Sequence, residues 1–91
     1  IYQSLGDLAS EGMVSGNIGC AAYLAGRWDE ALDWFARDRE IRQRAGSTVG
    51  AATAASNIGE ILVKRGELEE AEALLREAVR AMRANPSWAR R

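Results

Sequence analysis

Residues 16–32 read GNIGCAAYLAGRWDEAL, and residues 56–72 read SNIGEILVKRGELEEAE. Both stretches spell Asn-Ile-Gly, a second glycine and Glu-Ala at the same intervals, and the offset between the two copies is 40 residues. The matching positions cluster at small residues and turns, where backbone geometry limits the choice of residue. A fixed offset of this kind indicates a repeat protein in which each copy is one structural unit.

The apolar residues within each copy recur with a helical period. Strand patterns are absent, and the residues that typically start and end helices predict helices at about 8–25, 28–45, 48–65 and 68–84. We therefore predict an all-α superhelix of two helical hairpins in one domain spanning 1–91, with repeats at 8–45 and 48–84. Residues 1–5 and 87–91 are interpreted as remnants of neighbouring repeats, and the absence of a starting methionine favours a piece of a longer protein.

Glycine and polar residues mark the predicted helix ends. Gly26 and Gly66 are expected to end helices, because glycine tolerates the left-handed C-cap conformation. Asp7, Ser47 and Ser87 are expected to be N-caps of the helices that follow them.

Two further glycines, Gly19 and Gly59, fall in the middle of predicted helices, where glycine costs about 1 kcal/mol relative to alanine. We expect each to let its helix approach the small residue of the partner helix, Ala31 for Gly19 and Ala71 for Gly59.

Composition argues against most catalytic and membrane functions. The chain has no histidine, which removes the commonest general base and metal ligand, and we expect no catalytic residue, metal or cofactor. Its net charge of −1 gives no overall attraction to nucleic acid or anionic lipid, and no apolar run approaches the length of a membrane span. A single cysteine, Cys20, fits a reducing, cytoplasmic location.

The repeated residues resemble the tetratricopeptide repeat. Asn17-Ile18-Gly19, Gly26, Ala31 and Phe35 match its pattern, and Asn57-Ile58-Gly59, Gly66, Ala71, Leu75 and Ala78 match it again. The 40-residue period is similar to the longer repeats of kinesin light chain. Asp38 and Ala22 depart from the pattern, since the family usually has a small residue at the first position and often a large one at the second. Looser packing of the first copy is the expected consequence.

A narrower likeness is to repeat arrays of large actinobacterial proteins that join a class III nucleotide cyclase domain to an ATPase domain. Transcriptional regulators of the ATPase type carry similar arrays. The resemblance therefore implies a signalling or regulatory parent protein whose chemistry lies outside these residues.

The resemblance to this repeat family implies a groove, lined by the first helix of each pair, that binds a peptide or protein segment. The predicted groove residues are Asn17, Cys20, Tyr23, Asn57, Glu60 and Lys64, accompanied by Met13, Gly16, Leu24, Thr53, Ser56 and Val63. The amides of Asn17 and Asn57 could bond a peptide backbone or satisfy a neighbouring helix or turn. Capture of a C-terminal carboxylate is disfavoured, because Gly16 and Ser56 occupy positions where that type of groove needs basic residues.

The other groove residues have structural alternatives. Tyr23 could anchor a partner or pack between helices, and Cys20 is expected to be a half-buried, unreactive thiol. Glu60 and Lys64 could recognise a charged ligand or form a solvated pair four residues apart.

Two hypotheses on function remain. The chain is either a protein- or peptide-binding scaffold, or a structural spacer and self-association module without a ligand of its own. Because terminal repeats lack neighbours, we expect self-association through the uncovered ends.

Overall fold

The computed structural model describes residues 5–84 of the 91-residue chain. They form four helices, α1 (Leu5–Leu24), α2 (Trp28–Arg44), α3 (Thr48–Lys64) and α4 (Leu68–Ala84), each packed against the next. Residues 5–84 contain no strand, so the predicted all-α class is confirmed. Helix α1 begins before the expected start near residue 8 and includes Leu5 of the supposed remnant at 1–5. The rest of that remnant and the one at 87–91 lie outside the described residues.

Three glycines in the left-handed conformation end the first three helices. Gly26, Gly46 and Gly66 have φ values of 81°, 76° and 83°. After α1, the amide of Gly26 donates to the carbonyl oxygen of Tyr23 at 3.0 Å and that of Arg27 to Ala22 at 2.9 Å. These bonds satisfy carbonyl groups that the helix end would leave free, and they confirm the predicted role of Gly26 and Gly66.

One of the predicted N-caps is confirmed and one is wrong. The amide of Gly50 donates to Ser47 Oγ at 3.1 Å, which caps α3. Asp7 is not a cap, because α1 already includes it. Ser87 lies beyond the part of the chain that the structure describes.

The core consists of two apolar clusters joined by α3. The first contains Ala22, Ala31, Phe35 and Ile61, with Tyr23, Trp28, Leu32 and Ile58 packed against it. The second contains Ala52, Ala55 and Ala78, with Leu74 and Met82 alongside. Helices α1 and α2 form the first hairpin, and α3 and α4 form the second. Helix α3 packs one face against each of the two clusters, and this holds the second hairpin on the first.

The mid-helix glycines face large side chains, so their expected pairing with alanines is wrong. A Cβ atom at Gly19 would lie 2.9 Å from Phe35 Cδ1, and one at Gly59 would lie 2.7 Å from Leu75 Cδ2. Each glycine thus makes a hollow that receives a bulky residue of the partner helix. Ala31, which is fully buried, instead lies in the first core cluster, between the first hairpin and α3.

Asp38 fits the first hairpin because glycines surround it. Its side chain is 10% exposed, and its Oδ1 accepts a hydrogen bond from Arg42 Nε at 3.0 Å. A Cβ at Gly16 would lie 2.9 Å from Asp38 Oδ2, and one at Gly12 or Gly50 would approach the Arg42 side chain to 2.8 or 2.9 Å. The departure from the family pattern at Asp38 is therefore matched by small residues on the facing helices.

Ala22, the second departure from the family pattern, lies in the buried core, and looser packing of the first copy stays a prediction. Ala22 is 2% exposed and Phe35 is 3% exposed, so the ring of Phe35 fills the space beside the small residue. The positions equivalent to Ala22 and Phe35 in the second hairpin are Leu62 and Leu75. A small and a large residue in the first hairpin are thus replaced by two residues of intermediate size in the second.

Candidate peptide-binding surface

The predicted groove residues follow one stripe on α1 and one on α3. Met13, Asn17, Cys20 and Leu24 recur at intervals of four, three and four residues, which places them on one side of α1. The stripe on α3 holds Thr53, Asn57, Glu60 and Lys64 at the same intervals. We call these two stripes together the α1/α3 surface.

A hydrogen bond from a residue beside the α1 stripe reaches the α3 stripe. Tyr23 Oη donates to Glu60 Oε2 at 3.2 Å, and the ring of Tyr23 packs against the first core cluster. Tyr23 therefore packs between helices, which is one of the two interpretations of the sequence. Its hydroxyl also fixes the position of the exposed Glu60 carboxylate.

The asparagine side chains have no hydrogen bond within residues 5–84. Asn17 is exposed and Asn57 is half-buried, and neither amide contributes to the side-chain hydrogen bonds of the described residues. Of the two sequence alternatives, bonding of these amides to a neighbouring helix or turn is thus not observed. Both amides keep a donor and an acceptor for another molecule.

Large apolar side chains are exposed on the same two helices as the asparagines. Met13 is 58% exposed, Leu24 is 84% exposed and Val63 is 46% exposed. A surface that combines free amides with exposed apolar side chains has the chemistry for holding a peptide, since the amides bind backbone and the apolar residues bind side chains.

Three expectations for this surface are corrected. Cys20 is exposed rather than half-buried. Among the described ion pairs, none joins Glu60 to Lys64, because the Glu60 carboxylate accepts its hydrogen bond from Tyr23 instead. Gly16 does not face the surface, since a Cβ there would point at Asp38 on α2.

The tryptophans of α2 serve packing and a surface contact. Trp28 packs against the first core cluster, in agreement with a structural role. The guanidinium of Arg37 lies 5.5 Å from the ring centroid of Trp34, a favourable cation–π arrangement.

Sequence reasoning missed two ion pairs that connect the hairpins. Arg39 Nη2 lies 2.9 Å from Glu77 Oε2, which joins α2 to α4, and Arg65 Nη1 lies 2.5 Å from Asp29 Oδ1. The partners are far apart in sequence, so the rule for charges three or four residues apart could not find them.

Within residues 5–84, His, Cys, Asp and Glu side chains form no group of three or more that could hold a metal ion. None of the helices described is long and apolar enough to cross a membrane.

The arrangement of paired helices with glycine turns agrees with the comparison to known families. The sequence model of the tetratricopeptide repeat family matches residues 10–84, and the chain belongs to this family. Domains of this family are typically non-catalytic scaffolds for protein–protein interaction. No curated protein and no solved structure gives a significant match to the chain.

Proposed function

We propose that the α1/α3 surface binds an extended peptide segment of another protein, with Asn17 and Asn57 bonding its backbone. The observation that carries the proposal is that both amides lack a hydrogen-bond partner within residues 5–84 while apolar side chains are exposed on the same two helices. Cys20, Glu60 and Lys64 complete the proposed contact surface, and Tyr23 positions Glu60 for a polar contact.

The chemistry and the spacing of the two asparagines favour recognition of a peptide backbone over recognition of one particular side chain. An amide presents a donor and an acceptor together, which is the complement of a peptide group. Because Asn17 and Asn57 occupy equivalent positions on successive hairpins, they could hold two points along one extended segment.

A peptide-array screen followed by titration of the best peptide tests this proposal. We expect Asn17→Ala combined with Asn57→Ala to weaken binding by about tenfold or more, since two hydrogen bonds are lost. Gln43→Ala is the matched control, because it removes an exposed amide from the end of α2. Equal binding by the double variant and the wild-type chain would reject this surface as the peptide site.

A second candidate function is that of a structural spacer and self-association module. The exposed apolar residues of α1 and α4 favour it, notably Val14, Ile18, Leu68 and Val79. In this proposal the chain connects domains of a larger signalling protein in the cytoplasm, such as a nucleotide cyclase or an ATPase-type regulator. The sequence on either side of residues 1–91 in its open reading frame tests the domain assignment directly.

A further inference from the structure

Two exposed apolar surfaces lie at opposite ends of the four-helix array. On α1, Val14, Ile18 and Ala21 form the first, which we call the head stripe; Val14 is 56% exposed and Ile18 is 37% exposed. The second, which we call the tail groove, has a volume of about 540 Å³ and is lined on its apolar side by Val63, Leu68, Ala71, Leu75 and Val79.

The contact between the first hairpin and α3 shows how such a groove is covered. Ile58 and Ile61 of α3 pack in the first core cluster, against Tyr23, Trp28, Ala31 and Phe35. Ile61 is only 1% exposed as a result. The chain thus contains one complete interface of this type between its own hairpins.

The 40-residue repeat relates the two exposed surfaces to that interface. Moving forward by 40 residues from Tyr23, Trp28, Ala31 and Phe35 gives Val63, Leu68, Ala71 and Leu75, all of which line the tail groove. Moving back by 40 residues from Ile58 and Ile61 gives Ile18 and Ala21 of the head stripe. Head stripe and tail groove are therefore the two complementary halves of an interface that the chain already forms once internally.

Charge supports the same register. In the internal interface, Gln43 and Ala51 line one cavity at the end of α2, and their equivalents are Arg83 on α4 and Glu11 on α1. A second copy placed by this register would bring Glu11 towards the basic end of α4, where Arg80 and Arg83 lie beside the negative end of the helix dipole. Opposite charges would then flank the apolar contact.

We propose that the tail groove binds the head stripe of a second copy, so that α1 of one molecule covers the α4 end of another as α3 covers the first hairpin. Such a contact is heterologous, because the two molecules use different surfaces, and it extends head to tail instead of closing with the dimer. The inference deepens the second candidate function. Val63 borders both surfaces, but the variants that test this contact, at Val14 and Val79, leave Asn17 and Asn57 unchanged, so it and peptide binding can fail independently.

Sedimentation velocity of the 91-residue chain, from about 10 µM to about 1 mM, tests the proposal with two variants and their mixture. Val14→Glu disables the head stripe and Val79→Glu disables the tail groove. We expect each variant alone to associate about a hundredfold more weakly than the wild-type chain, because a charged side chain would have to lose its water inside an apolar contact. An equimolar mixture should form dimers and nothing larger, since only one intact head and one intact tail then meet.

Val49→Glu is the matched control, because Val49 is exposed on α3 in neither surface; it should associate like the wild-type chain. Circular dichroism checks that every variant is folded. If Val14→Glu or Val79→Glu is not folded, Ile18→Glu in the head stripe and Leu68→Glu in the tail groove take their places. The proposal is overturned if the wild-type chain stays monomeric up to about 1 mM. It is equally overturned if Val14→Glu still dimerises through two tails, if Val49→Glu weakens association as strongly, or if the mixture behaves as the sum of its components.

Discussion

The two hairpins share a backbone plan but fill the space between their helices differently. At equivalent positions, the first hairpin has Gly12, Asp38 and Arg42 where the second has Ala52, Ala78 and Met82. In the first, a largely buried ion pair lies against glycine; in the second, small and flexible apolar residues form a cluster. The repeat therefore constrains the combined volume of the facing side chains more strongly than the identity of any one of them.

The same rule holds nearer the helix turn. The first hairpin has Ala22 and Phe35, and the second has Leu62 and Leu75 at the equivalent positions. In both, a glycine in the middle of the first helix makes room for the large residue of the second helix, Gly19 for Phe35 and Gly59 for Leu75. The glycine is the shared element, and the residues around it adjust to one another.

The largest effect in this comparison is expected from Arg42→Met, which places the residue of the second hairpin in the first. The Asp38 carboxylate, 10% exposed, would lose the cation that pairs with it and donates a hydrogen bond to it. We expect the free energy of unfolding to fall by about 2–3 kcal/mol, somewhat less than for a fully buried pair because Arg42 is 26% exposed. Urea denaturation at fixed protein concentration measures it.

A variant that transfers the whole combination is the matched control. Gly12→Ala, Asp38→Ala and Arg42→Met together rebuild the packing of Ala52, Ala78 and Met82, and we expect a stability within about 1 kcal/mol of the wild-type chain. If the triple variant is as unstable as Arg42→Met alone, then the two hairpins do not exchange these residues as units.

The next effect concerns the two glycine hollows. Gly19→Ala would bring a methyl group to 2.9 Å from the ring of Phe35, which is 3% exposed and has little room to move. We expect a loss of about 1–2 kcal/mol, because the overpacking outweighs the gain of about 1 kcal/mol in helix propensity.

Gly59→Ala is the matched comparison for that prediction. It meets Leu75, a half-buried and flexible side chain, so its loss should be clearly smaller than that of Gly19→Ala. Thermal unfolding followed by circular dichroism ranks the two variants. Equal destabilisation by both would show that the rigidity of the facing residue does not decide the cost.

Sequence periodicity could predict the helices and their turns, because glycine in the left-handed conformation and helical spacing are local features. The partner of Gly19 could not be predicted in the same way. Gly19 and Ala31 are both small, but the relative rotation of α1 and α2 decides whether Ala31 or Phe35 faces the glycine, and that rotation depends on the whole interface. For the same reason, the sequence placed Gly16 on the α1/α3 surface, whereas it faces Asp38.

The proposed peptide-binding residues were predictable as stripes, since the stripes follow helical spacing. Their contacts were not. The bond between Tyr23 and Glu60 joins residues of different helices, and it replaced the local pair of Glu60 and Lys64 that spacing favoured. Spacing identifies neighbours within one helix and says little about which neighbour on another helix competes for the same group.

A smaller effect is expected at the start of the second hairpin. Ser47 caps α3 through the amide of Gly50, so Ser47→Ala should cost about 1 kcal/mol. Ser47→Asp should retain most of that stability, because aspartate is an equally good cap. Denaturant midpoints at constant m-value measure the difference, and an unchanged midpoint for Ser47→Ala would contradict the cap assignment.

The smallest effects separate an ion pair between the hairpins from one within a helix. Glu72 and Arg76 are 61% and 71% exposed on α4, so Glu72→Gln should cost no more than about 0.5 kcal/mol. Arg39, which pairs with Glu77 across α2 and α4, is only 28% exposed, and Glu77→Gln should therefore cost up to about 1 kcal/mol. Both losses should shrink in about 1 M salt, where screening acts within about 3 Å. A double-mutant cycle with Arg39→Gln isolates the coupling between hairpins; a coupling energy of zero would mean that apolar contacts of α3 alone hold α4 in register with α2.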